Sequence, residues 1–264
     1  MLLYNPITNS QRHCCLINKK YINKFYHFKS FFSRKKSSFG RSKGRISSFH
    51  RFSGHKNCYR QLDFDFFFQS EVPFVVRTIE YDPNRSSFIS LIYYINGLFS
   101  YIVATDSHYL DKRYICSDRT FYMNLYGNRT SLLNLPIGSV LSLLSTESRR
   151  YAQYIRSAGT YGILLRKNSK HARILLPSKK ILQTPVSGMC FVGKVSNSDF
   201  LNQNLGKAGR SFWRGKKPIV RGVAMNPVDH PHGGGEGKKS KPSSPVNPWG
   251  TVIKYSRKFK RRKY

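Results

Sequence analysis

Two histidines, His230 and His232, are the residues whose type and spacing most invite chemistry. Pro231 separates them, Asp229 and Glu236 flank them, and all five fall in VRGVAMNPVDHPHGGGEG, from Val220 to Gly237. Proline fixes φ and biases the residue before it toward extended backbone, so Asn226 and His230 are expected to be extended. In an extended chain, residues two apart project to the same side, which puts both imidazoles on one face. Three chemistries could use such a pair. A metal would draw on Asp229 and Glu236 as well, but that set is thin and no second cluster supports it. Proton transfer is open to His230, because imidazole titrates near neutrality. The third is hydrogen bonding to RNA phosphate, ribose or base edges, which suits a glycine-rich backbone able to approach a large partner closely.

The adjoining GGGEGKKS resembles a phosphate-cradling loop only in part. A nucleotide-binding loop of that type needs glycine at 232 and serine or threonine at 239, where the chain has His232 and Lys239. No apolar strand leads into it. No Ser/His/Asp arrangement has a credible elbow, and 12 acidic residues leave few acid–base pairs. No catalytic residue, metal site or cofactor is therefore assigned. An RNA-processing or metal-dependent RNA enzyme is the alternative, and it would need a convergent site.

Charge decides between these readings. The 264 residues hold 46 Lys and Arg against 12 Asp and Glu, a net charge of +34 with a pI near 10.3. Residues 1–60 contain 14 cations and no acid, residues 61–206 contain 16 against 10, and residues 207–264 contain 16 against 2. Two cationic ends flank a nearly ordinary centre. Such a chain repels itself unless a polyanion neutralises it, and folded RNA is the expected partner. Lys207, Arg210, Arg214, Lys216, Lys217 and Arg221 precede the histidine stretch, and Lys238, Lys239 and Lys241 follow it. Trp213 sits among them, placed either to stack on a base or to pack into a barrel. Five cysteines without a CxxC pair give neither a disulfide framework nor a zinc ribbon. Abundant Phe, Tyr, Ile, Asn and Lys suit an A/T-rich organellar gene.

The elements that must hold these residues are strands. Short β-prone runs at Leu62–Phe68, Phe74–Glu80, Phe88–Ile95, Leu98–Thr105 and Arg119–Leu125 are separated by turn signals, Asp82-Pro83-Asn84 and Asn96-Gly97 among them. Five such strands suit an OB-type barrel. A second group follows at Ser139–Leu144, Gly162–Lys167, Ala172–Leu176, Lys180–Gln183 and Met189–Val195, with Asn168-Ser169 as a hairpin turn. The twenty uncharged residues between Arg85 and Asp106 are long enough for a membrane span. The Asn-Gly turn at their midpoint favours two buried strands instead, so no membrane partner is expected. Residues 1–36 read either as a cleaved presequence or as an RNA-contacting arm. The segment 37–60 interleaves Gly and Ser with Arg41, Arg45, His50, His55, Lys56 and Arg60, as a linker or an RNA-ordered loop would.

GKAGRSFWRGKKPIVRGVAMNPVDHPHGGGEGKK resembles the C-terminal signature of the large-subunit ribosomal protein two family. Gly40-Arg41, Gly44-Arg45-Ile46, His50 and Gly54-His55-Lys56 are similar to its glycine-rich N-terminal stretch, with Phe52 and Ser53 replacing two glycines. IEYDPNRS, LPIGS and YIRSAGTYG are similar to its globular part, and the resemblance runs from about residue 37 to 250. It implies an all-β chain with a basic extension over 1–60, an OB-fold over 61–126, an SH3-like barrel over 127–200 and an extended basic arm over 201–264. It also implies a structural role in the large ribosomal subunit, near the peptidyl transferase centre, in subunit assembly and association. The expected partners are ribosomal RNA and other ribosomal proteins, with no small-molecule substrate, no cofactor beyond magnesium carried by the RNA, and a mitochondrial or else plastid location. The RNA contacts expected from the charge pattern and the resemblance together are Arg41, Arg45, His50, His55, Lys56, Arg60, Arg85 at the Asp-Pro-Asn turn, Arg156 beside Ser157-Ala158-Gly159, Lys207, Arg210, Trp213, Arg214, Arg221, Asn226, His230, His232, Lys238 and Lys239.

Overall fold

Strands dominate the computed structural model, and its one α-helix among the described residues is the six-residue α1, Ala208–Trp213. The structure describes residues 1–20, 22–23, 28–34, 39–64, 71–117, 126–146, 151–236 and 244–253. The expected strand Arg119–Leu125, part of Leu62–Phe68, Lys238 and Lys239 lie outside them. The described part of the first run, residues 62–64, is not strand. Two units emerge, one of Met1–Lys36 with Lys56–Arg210, the other of Ser37–His55 with Ser211–Tyr264.

In the first unit, a four-stranded antiparallel sheet forms from β1 (Phe74–Glu80), β2 (Ile89–Tyr94), β3 (Phe99–Val103) and β4 (Arg113–Tyr114), in the order β4-β1-β2-β3. The β2–β3 turn is the expected Asn96-Gly97. Gly97 has φ of 85°, and Tyr94 N–H donates to the Leu98 carbonyl at 2.8 Å. The uncharged run is thus a hairpin, and β2 looks membrane-like in sequence because both of its faces are covered. Among the described residues, no helix is long and apolar enough to cross a membrane.

The second sheet has seven strands: β5 (Cys116–Ser117), β6 (Arg129–Ser131), β7 (Val140–Ser142), β8 (Gly162–Lys167), β9 (His171–Leu175), β10 (Ile181–Pro185) and β11 (Met189–Val192). Its order is β5-β6-β11-β7-β8-β9-β10, antiparallel except for β5 with β6. β8 matches its expected bounds, whereas β6 was not expected. Arg129, Thr130 and Ser131 are all buried, so β6 shows no alternation of apolar and polar residues.

The two sheets share a core. Phe74, Val76, Ile92, Ile102 and Tyr114 pack in one cluster with Leu143, Met189, Phe191 and Val195. His108 lies at this junction, with its ring against Tyr114 and Phe191. Its Nδ1 accepts the Thr105 N–H at 3.3 Å and its Nε2 faces the Gly127 carbonyl at 3.1 Å, as the neutral ring requires. Burial pushes this imidazole down from 6.5 to about 4. Leu132, Leu141, Leu164, Ile174 and Cys190 form a second core inside the larger sheet, where burial drives the Cys190 thiol up to about 12 and leaves it inert.

The N-terminal tract is built into this unit. Leu2–Leu3 pairs with Cys15–Leu16, and the Cys15 N–H donates to the Asn204 carbonyl at 2.9 Å. Asn23 donates to the Ile79 carbonyl, and Phe32–Arg34 pairs with Cys58–Arg60. Phe28 and Phe31 cover Ile89, Leu91 and Tyr101 on the outer face of β2 and β3.

Candidate nucleic-acid interface

The second unit begins with a small cationic ribbon. Arg41–Ser42 pairs with Arg45–Ile46 through Lys43 and Gly44, whose φ values of 49° and 77° make a tight hairpin turn. The Gly40 carbonyl receives N–H groups from Ser47 at 2.7 Å and Ser48 at 2.9 Å, closing the loop behind it. Arg41, Lys43 and Arg45 are all exposed on a ribbon with no acidic neighbour in sequence. Like charges crowded this closely repel, which favours a polyanionic partner.

The segment around His55 is clasped to the start of the arm. Phe52 N–H donates to the Gly215 carbonyl at 3.2 Å, His55 N–H to Trp213 at 2.9 Å and Lys217 N–H to His50 at 2.7 Å. Gly54 has φ of 59°, and a Cβ there would stand 2.5 Å from the Gly215 nitrogen, so no side chain fits. Phe52 packs its ring 4.2 Å from that of Phe212. Trp213 keeps 57% of its surface exposed. Arg214, Lys216, Lys217 and Arg221 are exposed along the same stretch.

The histidine loop follows. Asp229 and His230 donate their N–H groups to the Asn226 carbonyl at 3.0 and 3.3 Å, and Gly233 donates to the His230 carbonyl at 2.8 Å. Gly233 and Gly222 are two positions of close approach. A Cβ on Gly233 would overlap the Asn226 carbonyl, and one on Gly222 would stand 2.6 Å from the His230 ring. His230 is therefore buried, at 7% exposure, and its Nδ1 accepts the His232 N–H at 3.0 Å. His232 Nε2 in turn accepts the Val246 N–H at 3.1 Å. The two rings stand 4.8 Å apart.

This arrangement changes the expected role of His230. The chain itself orients the imidazole, and its Nδ1 lone pair is engaged by a backbone N–H, so His230 is a staple of the loop. One nitrogen of each ring is thereby closed to a metal, and among the described residues no three His, Cys, Asp or Glu side chains gather to hold one. Asn226 is exposed beside it, as a contact residue must be.

In the first unit the expected contacts divide. Arg156 and Lys207 are exposed, as is Lys56. Arg60 is not a surface cation. Its guanidinium is 2.8 Å from Glu80 Oε2, with side-chain exposures of 6% and 1%, and it donates to the Tyr81 carbonyl at 3.2 Å. Glu80 is further held by Thr78 Oγ1 at 3.0 Å and by the Tyr101 hydroxyl at 3.1 Å, whose own ionisation burial raises sharply. A phosphate cannot reach a guanidinium so enclosed. Arg85 is half committed: its Nε donates to Asp82 Oδ2 at 2.6 Å, which braces the Asp-Pro-Asn turn. Arg210 turns inward to the Cys14 sulfur and donates to the Leu205 carbonyl at 2.6 Å, tying the helix start to the N-terminal tract.

Comparison with known proteins then decides the family. Residues 28–116 match the family model described as Ribosomal Proteins L2, RNA binding N-terminal domain, and residues 125–250 match Ribosomal Proteins L2, C-terminal domain. The chain belongs to the uL2 family of large-ribosomal-subunit proteins. It is 40% identical over 265 residues to the large ribosomal subunit protein uL2 of Orientia tsutsugamushi, covering 99% of this chain and 95% of that protein. The uL2 proteins of Rickettsia typhi and Rickettsia rickettsii are 43% and 44% identical over 261 residues, covering 98% of this chain and 94% of theirs. The match thus extends past the span from 37 to 250 that the motifs mark, into the N-terminal tract. The two sheets are the OB-fold and SH3-like parts of this all-β family, and the chain is a structural component of the large subunit with RNA-binding domains. Its relatives are structural ribosomal proteins, not enzymes.

Proposed function

We propose that the second unit is a preshaped RNA clamp, set in large-subunit ribosomal RNA near the peptidyl transferase centre and supporting assembly and subunit association. The observation that carries this is a loop whose shape is fixed by its own hydrogen bonds and which follows the exposed cations Arg214, Lys216, Lys217 and Arg221. A loop ordered before binding loses less conformational entropy when it docks, so phosphate contacts convert more fully into affinity. Arg41, Arg45, Arg214 and Arg221 contact phosphates, Trp213 stacks on a base, and Asn226 reads a base edge or ribose hydroxyl. His50, His55, Lys56, Arg156, Lys207, Lys238 and Lys239 add phosphate or ribose contacts. His232 acts with His230 to hold the loop in the shape the RNA accepts. Other ribosomal proteins and RNA-borne magnesium complete the environment.

The same reading places the chain in the mitochondrial large subunit. Its relatives in Orientia and Rickettsia support that ancestry, and its Phe- and Tyr-rich composition suits an organellar gene. Sedimentation of ribosomes from purified mitochondria and from plastids, followed by mass spectrometry, tests both parts. The chain should be stoichiometric in mitochondrial large subunits; recovery in plastid ribosomes instead, or in no large subunit, would overturn the assignment.

A further inference from the structure

The solvent face of the larger sheet carries a pattern that RNA binding does not explain. Along β9, Ala172 and Ile174 point into the core, so His171, Arg173 and Leu175 face outward. Strand register extends that face into rows. Val140 pairs with Ile163, Ile163 with Leu175, and Leu175 with Ile181, giving four aliphatic residues in line across β7, β8, β9 and β10. The row ends on the edge strand with Ile181, which is 63% exposed, and the other three are half-buried. The neighbouring row places Arg166 directly opposite Arg173, with Gln183 beyond. Like charges directly opposed across strands are unfavourable on their own. Together with Asn168 and His171 these residues line a concavity of about 150 Å³. In sequence, no acidic residue occurs between Glu147 and Asp199.

Aliphatic and cationic rows side by side call for a ligand with both complements. RNA supplies anions, but an aliphatic row pressed against phosphates would desolvate them without exchange. A polypeptide can supply both. We propose that this face docks a segment of another protein, which lays aliphatic side chains along Val140, Ile163, Leu175 and Ile181 and sets carboxylates on Arg166 and Arg173. A fork of guanidinium donors matches a carboxylate in geometry as well as charge. The inference rests on the chain's place in the large subunit.

A photo-crosslinking residue, p-benzoylphenylalanine, placed at Ile181 of the full chain and irradiated in purified ribosomes provides the test. The expected product is a peptide bearing aliphatic residues and at least two carboxylates. Because Glu would set like charges against the partner's carboxylates, Arg173→Glu or Arg166→Glu should cut its yield by about tenfold or more. Lys112→Glu, just before β4 of the other sheet, should leave the yield unchanged. Crosslinks to RNA, no crosslink, a protein crosslink indifferent to Arg173→Glu, or an equal loss with Lys112→Glu would each overturn the proposal. If the chain does not sediment with large subunits at all, the reading under Proposed function fails instead.

Discussion

His230 shows how far a residue's type can mislead about its work. Beside Asp229 and His232 it has the look of a proton carrier, yet its ring lies on Gly222 and accepts the His232 N–H. Replacing it with Gln keeps an acceptor and removes the titrating group. His230→Gln should slow assembly, while assembled subunits form peptide bonds within about threefold of normal; loss of a general base would cost roughly 10²–10⁴-fold. Single-turnover peptide transfer on purified particles separates the two outcomes. Arg60 misleads in the same way. Its charge suggested phosphate, and only the fold reveals Glu80 against it. Arg60→Ala leaves that carboxylate buried without its partner and should destabilise the first unit by about 3–5 kcal/mol in denaturant unfolding. His108 gives the molecule a pH dependence. The unfolded chain binds a proton near 6.5 that the folded one does not take until about 4. Its contribution is therefore full above 6.5 and is lost as the pH falls toward 4, about 3 kcal/mol in all. His108→Phe should flatten the stability–pH curve across that window.

At the scale of elements, the sequence is most readable where chemistry is local. Asn96-Gly97 marks its hairpin because few residues tolerate its backbone, and β1 and β8 keep the bounds their composition implies. What stays hidden depends on distant partners. β6 is polar and fully buried because β5 and β11 enclose it, so no periodicity betrays it. The N-terminal tract has the composition of an arm, and its aromatic residues become core only when Phe28 and Phe31 meet β2 and β3. The clasp at Gly54 was legible as a glycine and not as a contact. Gly54→Ala must strain a backbone at φ of 59° and displace the Gly215 backbone. Strain alone costs about 1–2 kcal/mol, so limited proteolysis should cut the segment 50–56 sooner in the variant.

At the scale of the whole molecule, charge and fold divide the labour. The first unit buries most of its apolar core and two of its cations, Arg60 and Arg129. The second unit holds few apolar residues in a core and displays its cations. The central claim is that these cations bind large-subunit RNA through phosphate. The most direct measurement is the affinity of the full chain for its own large-subunit RNA as salt is raised, beside the chain lacking Ser211–Tyr264. Neutralising about 6–10 phosphates predicts a loss of roughly 10³–10⁵ in affinity between about 50 and 200 mM salt, with a much shallower slope after the deletion. A nearly flat response of the full chain, or an unchanged slope after the deletion, would contradict it.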